Sequence, residues 1–456
     1  MLPLTRPPSS RKPRLVPEAL VEGTSMPVPP RSLRWLAATL LTMLLAIAAP
    51  IASRAQETVT PSDRVTRNVV VRAEPSTSAA PVDKMLPGAI LPLVGEVPGW
   101  FRVQLPSGQQ GFVSKAWTDL SSARLASAGR AFKVHVIDVG TGLAIFVEGQ
   151  DFALLYDAGS QDDLAQGSGN RVVAYIRAVR PDLKRLDHVI LSHPHKDHLE
   201  LMPDVFDAFQ VANVWESGRV NKTAGYCKFL KKVVAEGAIY HDAIASNATR
   251  TVTFSGSSCK GPVTVTEGPM MTAAPIVLGA QAQMSLLYRD AGNYADPNGN
   301  SVVTRLDLGD KRVLLAGDAE GGEREPPSTA PQANSIEARL LACCKPDLAA
   351  DVLVVGHHGS LTSSRSAFID TVGAKVFVIS SGPFPYKSVT LPDQQIVTAL
   401  EARGQVYRTD LKDADCGADT AKPGPDADES PGGCSNVLIT IAPSAALTVA
   451  YMKPAD

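Results

Sequence analysis

Residues 191–199 read Leu-Ser-His-Pro-His-Lys-Asp-His-Leu, and this stretch decides the expected fold and chemistry. The whole chain has only eight histidines, so three of them within six residues are hard to attribute to chance. The apolar run at 186–191 predicts a buried strand, and Pro194 prevents a helix through the residues around it. Imidazole and carboxylate groups are the ligands that zinc takes in open, catalytic sites. We therefore predict a metal-binding loop after this strand, with four ligands: His193, His195, Asp197 and His198.

Three other apolar runs also end in polar residues. They are Leu155-Tyr156-Asp157, Leu315-Ala316-Gly317-Asp318 and Val355-Gly356-His357-His358. Strand ends that converge at one edge of a sandwich form a site. The sequence therefore predicts that these three ends lie beside the histidine-rich loop.

In this order, the segments resemble the metallo-β-lactamase superfamily and, more narrowly, the hydrolase domain of ComEC-type DNA-uptake proteins. The resemblance runs from about residue 132 to 451 and implies an α/β fold, an αββα sandwich. Its ordered motifs are specific for fold and metal and much less specific for substrate. Besides the runs above, the matching segments are Asp138-Val139-Gly140-Thr141-Gly142, Asn300-Ser301-Val302-Val303, Thr362-Ser363-Ser364, Ile379-Ser380-Ser381 and Tyr407-Arg408-Thr409-Asp410.

The resemblance implies two divalent metal ions and a role for each ligand. Two ions roughly 3.5–4 Å apart can clamp a phosphoryl group and lower the pKa of a water molecule to about 7. The implied ligands are His193 and His195 on the first ion, Asp197 and His198 on the second, and Asp318 between them. We expect His357 to complete the second group because it comes first after its strand. His358 then contacts substrate or transfers a proton, and we expect it to be catalytic together with Asp197. Strand alternation does not exclude the reverse assignment of the two histidines.

Four further residues are expected near the ions. The resemblance implies that Asp157 orients the histidine-rich loop instead of binding metal, and Asp138 is expected to act likewise. Asn300 and Ser360 either cap turns or contact substrate. We expect His241 to be structural, which leaves the first ion with fewer imidazoles and makes manganese an alternative to zinc.

Residues 66–120 contain short β-rich runs separated by turns. The stretch resembles a bacterial SH3 domain through Val69-Val70-Val71-Arg72, Gly99-Trp100-Phe101-Arg102-Val103 and Gly111-Phe112-Val113-Ser114. The resemblance implies contacts with cell-wall peptides or with other proteins. We expect Trp100 in the core of this small all-β SH3-like barrel, residues 56–65 to be a linker, and the hydrolase domain to span 131–456.

The N-terminal residues are typical of an export signal. Arg31 and Arg34 precede an uncharged run at 35–49, and Ser53-Arg54-Ala55 supplies small residues for cleavage. We expect residues 1–55 to be a leader and signal peptide, with translation starting at Met26 or, alternatively, at Met1. An uncleaved anchor is the other possible reading. Cleavage predicts an exported protein, periplasmic or secreted, without an integral membrane domain.

Charge and cysteine content add two expectations. Beyond residue 55 the chain carries 37 basic and 44 acidic residues, which argues against gripping long nucleic acid through a broad basic surface. Local recognition of one phosphate remains compatible with this charge.

Six cysteines in an exported chain favour disulfides, first Cys416–Cys434 and then Cys227–Cys259. Adjacent Cys343 and Cys344 are expected to be free because a mutual bond would be strained.

The expected function is metal-dependent hydrolysis of a phosphodiester in nucleic acid, in a cell-wall polymer or in a phosphocholine-type decoration. One alternative is hydrolysis of a carboxylic ester, lactone or lactam. A second alternative is a wall-binding protein with an inactive hydrolase domain, although the chain retains all the expected ligands. The sequence leaves the oligomeric state open.

Overall fold

The computed structural model describes residues 58–62, 64–65, 67–85, 89, 91–105, 108–121, 131–162, 164–411, 435–442 and 446–452. The expected leader, its cleavage site and the Cys416–Cys434 pair lie outside these residues. In the described part of the chain, no helix has the length and apolar character needed to cross a membrane.

The described chain contains only strands up to residue 121 and both strands and helices beyond residue 131. The strands are β1 Thr58–Pro61, β2 Val69–Arg72, β3 Pro81–Met85, β4 Leu91–Val97, β5 Trp100–Gln104, β6 Gln110–Ser114, β7 Thr118–Ser121, β8 Phe132–Val136, β9 Ala144–Glu148, β10 Ala153–Ala158, β11 Arg185–Leu191, β12 Gln210–Glu216, β13 Ile239–His241, β14 Thr249–Ser255, β15 Lys260–Thr266, β16 Ile276–Gly279, β17 Ala282–Tyr288, β18 Val303–Leu308, β19 Lys311–Leu315, β20 Val352–Val354, β21 Val376–Ile379, β22 Gln405–Arg408, β23 Asn436–Ile441 and β24 Leu447–Met452. The helices are α1 Arg171–Val179, α2 Lys196–Leu199, α3 Met202–Ala208, α4 Ala224–Glu236, α5 Ile336–Cys343, α6 Lys345–Leu348, α7 Ser366–Val372 and α8 Gln394–Glu401.

Strands β1–β7 form the SH3-like barrel, in the order β3-β2-β6-β5-β4-β1-β7. The expected linker at 56–65 is wrong for residues 58–61, which form β1 and pair with both β4 and β7. The reason is visible in Thr58-Val59-Thr60-Pro61, where Val59 is fully buried in the barrel core. Trp100 lies outside this core, although we expected it there, and is only half-buried.

The rest of the described chain forms two packed sheets with helices on both outer faces. The first sheet has the order β13-β12-β11-β10-β9-β8-β23-β24, and the second has the order β16-β17-β18-β19-β20-β21-β22. Apolar side chains such as Leu154 and Ile190 from the first sheet and Leu306 and Leu315 from the second share one buried layer. Helices α1, α3 and α4 cover the outer face of the first sheet, and α5, α7 and α8 cover that of the second. This αββα sandwich confirms the predicted fold.

Two disulfides occur in the described residues. Cys227–Cys259 joins α4 to the loop between β14 and β15, as expected. Cys343 and Cys344 are bonded to each other, so the expectation that they are free is wrong. The backbone of Cys344 is no longer helical where α5 ends, which lets the adjacent side chains meet.

Candidate metal centre

The two sheets bring the carboxyl ends of four strands to one edge of the sandwich. β10 and β11 are parallel neighbours in the first sheet, and β19 and β20 are parallel neighbours in the second. Parallel strands present their carboxyl ends at the same edge, where α/β proteins bind ligands. The residues that follow or end these strands are therefore neighbours, and five of them are buried: Asp157, His193, His198, Asp318 and His358.

Six side chains at this edge form two groups, in each of which the ligand-type atoms lie within 4.8 Å of one another. The groups are His193, His195 and Asp318, and Asp197, His198 and His358. Asp318 faces both of them. Its Oδ2 lies 3.6 Å from Nε2 of His193, and its Oδ1 lies 3.2 Å from Nε2 of His198. One carboxylate thus lies between the two groups, at the position that the superfamily resemblance implies for it.

The donor atoms of this edge fit a bound cation. His198 Nε2, Asp318 Oδ1 and His358 Nε2 are buried and have no hydrogen-bond partner among the described residues. Leaving buried polar atoms unpaired is unfavourable. Because all three belong to imidazole or carboxylate groups and lie near one point, a divalent ion such as zinc or manganese would satisfy them together.

A hydrogen-bond network fixes the imidazoles from behind. Asp157 Oδ2 accepts hydrogen bonds from Nδ1 of His198 at 2.8 Å and from Oγ of Ser192 at 2.6 Å. The Nδ1 of His358 donates to the carbonyl of Ser380 at 2.8 Å. In both histidines Nε2 is left to face Asp318. Asp157 itself enters neither group, in keeping with the orienting role expected for it.

His357 and His358 exchange their expected positions. His358 Nε2 lies 3.6 Å from Asp197 and 3.8 Å from Asp318 and belongs to the second group. His357 Nε2 is also 3.8 Å from Asp318, but it lies far enough from the other ligand atoms to belong to neither group, and its Nδ1 contacts Thr362 at 2.6 Å. The imidazole of His357 is 23% exposed. Both residues have left-handed backbones, with φ of 49° and 51°. The chain therefore does not continue as a strand, and being first after the strand does not make His357 the ligand.

The comparisons with known proteins agree with this geometry. Residues 137–382 match the family described as "Metallo-beta-lactamase superfamily". The chain belongs to the metallo-β-lactamase superfamily. Residues 67–119 match the family described as "Bacterial SH3 domain".

The chain is also similar to parts of longer proteins. It is 26% identical to Competence protein ComA of Neisseria gonorrhoeae over 283 residues, which cover 62% of this chain and 31% of that protein. It is 26% identical to Recombination protein 2 of Haemophilus influenzae over 263 residues, 57% of this chain and 26% of that protein. The chain thus spans less than a third of the length of these relatives. Among solved structures it resembles the metallo-beta-lactamase fold protein YhfI from Bacillus subtilis, with 14% identity, coverage of 61% and 96%, and a TM-score of 0.33.

Three of the expected supporting residues do not touch the two groups of this superfamily site. The carboxylate of Asp138 accepts from the backbone N–H groups of Gly140 and Ser435, so it ties β8 to β23 and does not orient the histidine-rich loop as we expected. Asn300 donates to two carbonyls of the preceding turn, and Ser360 Oγ accepts from Arg324 at 3.2 Å. Asn300 and Ser360 therefore hold turns.

The remaining histidines are structural. The ring of His241 stacks on Trp215 at 3.7 Å, and its Nδ1 donates to the carbonyl of Pro269. Nδ1 of His188 accepts from Nε1 of Trp215, and Nδ1 of His135 contacts the hydroxyl of Tyr175. None of the three belongs to either candidate group, which fits the expectation that His241 is not a ligand.

Sequence reasoning missed Tyr386, which lies after β21. Its hydroxyl donates to Oδ2 of Asp197, 189 residues earlier in the chain. Burial and the negative charge of Asp197 raise the pKa of this phenol, so it stays a donor. Local sequence contains no signal for this contact because the two residues meet only through the sandwich.

Burial and neighbouring charges act together on the pKa values of these imidazoles and carboxylates. Burial holds the pKa of His193 well below its ordinary value, and a neutral imidazole is the form that binds metal. Burial raises the pKa of Asp157, whose carboxylate is held instead by hydrogen bonds from His198 and Ser192. Burial opposes ionisation of Asp318, but the surrounding imidazoles outweigh it and lower the pKa of that carboxyl.

The two groups open onto a cleft of 620 Å³. Its wall includes His195, Lys196, Asn298, His357 and Tyr386. The imidazole of His357 and the amide of Asn298, 3.4 Å apart, lie beside Asp318. A substrate in this cleft would therefore meet N–H donors as well as the candidate metal ligands.

Proposed function

We propose that this chain is a metal-dependent phosphodiesterase that acts on nucleic acid or on a cell-wall or phosphocholine-type phosphodiester. The observation that carries the proposal is the position of Asp318. Its two carboxylate oxygens face different histidine groups, His193 on one side and His198 with His358 on the other. A carboxylate placed in this way suits a pair of ions that together clamp a phosphoryl group.

The six side chains of the two groups would hold the ions, with Asp318 shared. We expect zinc first and manganese as the alternative, because the set mixes imidazole with carboxylate oxygens. When bound, such ions polarise a phosphoryl oxygen and lower the pKa of water to about 7. Asp157 and Ser380 hold the imidazoles of His198 and His358 in the orientation that this requires.

The cleft residues act on the substrate itself. Thr362 and Glu320 hold Nδ1 of His357, at 2.6 Å and 3.1 Å, so that Nε2 faces the cleft beside Asn298. From there His357 can contact a non-bridging oxygen or give a proton to the leaving oxygen. A phosphodiester has two non-bridging oxygens for such donors, whereas a lactam carbonyl has one. This difference ranks phosphodiesters above lactams.

Two further proposals rest on the sequence. Residues 31–55 support export to the periplasm or the medium, and the SH3-like residues 66–120 support a contact with cell-wall peptide. N-terminal sequencing of the exported protein should begin at Gln56, and recovery of the intact N-terminus from cytoplasm would refute export.

The test of the main proposal is a substrate comparison on purified protein of measured metal content. With zinc or manganese restored, it should bind about two ions and hydrolyse bis-p-nitrophenyl phosphate faster than nitrocefin or a p-nitrophenyl ester. Asp318→Ala should lose metal and activity together. Efficient cleavage of nitrocefin with every phosphodiester untouched would make the ranking wrong, and a reconstituted protein without metal would sink the whole proposal.

A further inference from the structure

The SH3-like barrel carries a second cleft, of 520 Å³, apart from the metal centre. Three arginines and two tryptophans contribute to its wall: Arg64, Arg67, Arg72, Trp100 and Trp117. The other lining residues are small, apolar or uncharged polar side chains. Arginine and tryptophan together are the residue types that bind ligands with both negative charge and flat rings.

In the part of the chain that the structure describes, no carboxylate neutralises the positive charge of this arginine–tryptophan cleft. No aspartate or glutamate lines it among the described residues. Arg64 donates to the carbonyl of Ala116 at 2.8 Å and Arg72 to that of Ala79 at 2.6 Å, and neither guanidinium forms an ion pair with a carboxylate of the described residues. Elsewhere on the barrel, Lys115 pairs with Glu96 at 2.6 Å. Guanidinium groups remain charged at any physiological pH, so the cleft presents three lasting positive charges.

The tryptophans offer ring surface to the same cleft. Trp117 is 51% exposed, and the guanidinium carbon of Arg64 lies 5.5 Å from its ring centroid. Trp100 pairs across the sheet with Ser114 and lies outside the apolar core of the barrel. A large ring left outside the core has a surface available for a planar ligand.

We propose that this cleft binds single-stranded nucleic acid, with phosphates on the arginines and bases stacked on the tryptophans. Single-stranded nucleic acid is held by this combination of a positive groove with aromatic platforms. A wall peptide, which the SH3 resemblance favours, offers carboxylates but no series of planar rings, so the wall contact proposed for residues 66–120 would use a face of the barrel outside this cleft. Duplex DNA calls for a broad basic surface, which the net negative charge beyond residue 55 does not provide. Binding in this cleft does not depend on the proposed function. Only the conclusion that the phosphodiester substrate is nucleic acid rests on it.

The test measures binding without hydrolysis. Fluorescence anisotropy of a 5′-fluorescein-labelled dT12 is followed with the full chain in EDTA at low salt. We expect Trp117→Ala to weaken affinity about fivefold or more, since stacking of a base on one aromatic residue accounts for that much or more. Arg67→Ala should weaken affinity as well, since it removes a phosphate contact. Trp117→Phe, which keeps a ring, should retain most of the affinity. Arg102→Ala is the matched control, because Arg102 is an exposed arginine of the same barrel that does not line the cleft.

Each other outcome overturns the proposal. If Arg102→Ala weakens binding as much as Arg67→Ala, the attraction is diffuse charge. If polyphosphate displaces dT12 at equal phosphate concentration, the bases contribute nothing. The ligand is a wall peptide if three results occur together: the full chain sediments with isolated cell walls, Trp117→Ala abolishes this sedimentation, and the full chain does not bind dT12. Because the assay contains EDTA, binding of dT12 is measured without hydrolysis. Binding of dT12 would therefore remain valid if the chain had no phosphodiesterase activity, and phosphodiesterase activity would remain valid if the chain did not bind dT12.

Discussion

At the scale of the residue, the two adjacent histidines after β20 have separable roles. His358 points its free Nε2 at Asp197 and Asp318, whereas His357 lies at the cleft wall with its Nδ1 on Thr362. We expect His358→Ala to lose bound metal and activity together. His357→Ala should keep both ions and lower phosphodiester turnover about 10²-fold, the usual scale for an acid–base group. Metal analysis and the bis-p-nitrophenyl phosphate assay on both variants decide the matter, and metal loss in His357→Ala alone would reverse the assignment.

Asp157 offers a second residue-scale test. Its carboxylate holds His198 and Ser192, so Asp157→Asn should weaken metal affinity about 10- to 100-fold while leaving every proposed ligand in place. Asp138→Asn is the matched control, since Asp138 is also buried and its carboxylate accepts from the backbone N–H groups of Gly140 and Ser435. The measurement is zinc binding by competition with a chromogenic chelator. If both variants weaken zinc binding equally, the loss of affinity comes from changing a buried carboxylate and not from losing the contact with His198.

The same residues show where sequence stops being informative. His193, His198 and Asp318 were predictable because each follows an apolar run that must become a buried strand. The choice between His357 and His358 was not, since it depends on two left-handed backbone angles that no residue type in Gly356-His357-His358-Gly359 specifies. Tyr386 could not be predicted for another reason: its contact with Asp197 forms only when the two sheets pack together.

At the scale of the element, the loop with residues 192–199 packs on the end of β10 through glycine. A Cβ on Gly159 would lie 2.3 Å from the backbone N of His198 and 2.4 Å from the carbonyl carbon of Asp197. Both neighbours are backbone atoms, so no side-chain rotation relieves the clash. We expect Gly159→Ala to displace the loop, to lower metal affinity and to destabilise the fold by about 1–3 kcal/mol. Thermal unfolding and metal titration measure the two effects.

Gly169→Ala is the control for that substitution, because its nearest atom would be the Cβ of Ala165 at 3.3 Å. The control should bind metal normally. Normal metal binding by Gly159→Ala would show that the loop tolerates a shift and that its close backbone approach is unimportant.

Elements were predictable wherever their apolar pattern is strong. Residues 224–236 form α4. This helix begins after Thr223, whose hydroxyl accepts from the N–H of Tyr226, and ends at the left-handed Gly237. The β14–β15 hairpin was not predicted, because each of its strands has only two buried residues, Val252 and Phe254 in β14 and Val263 and Val265 in β15. The disulfide from Cys227 to Cys259 and the packing against α4 stabilise this hairpin, and both are tertiary contacts.

At the scale of the whole molecule, the candidate metal centre takes its side chains from both sheets. His193 and His198 follow strands of the first sheet, whereas Asp318 and His358 follow strands of the second. Bound ions would therefore link two layers that otherwise meet through apolar packing. A ligand at about 100 times its Kd stabilises the folded state by about 2.7 kcal/mol. For a domain of this size, each kcal/mol moves Tm by about 2–4 °C.

Removing metal should therefore lower the Tm of the wild-type chain by roughly 5–10 °C, as followed by circular dichroism with and without EDTA. The shift should reverse on adding zinc or manganese, because buried atoms such as His198 Nε2 and His358 Nε2 regain a partner. Asp318→Ala should unfold at one temperature regardless of EDTA, since it removes the carboxylate that both groups share. An EDTA effect of equal size in Asp318→Ala would place the stabilising ion elsewhere. An unchanged wild-type Tm would mean that the sheets are held together without metal.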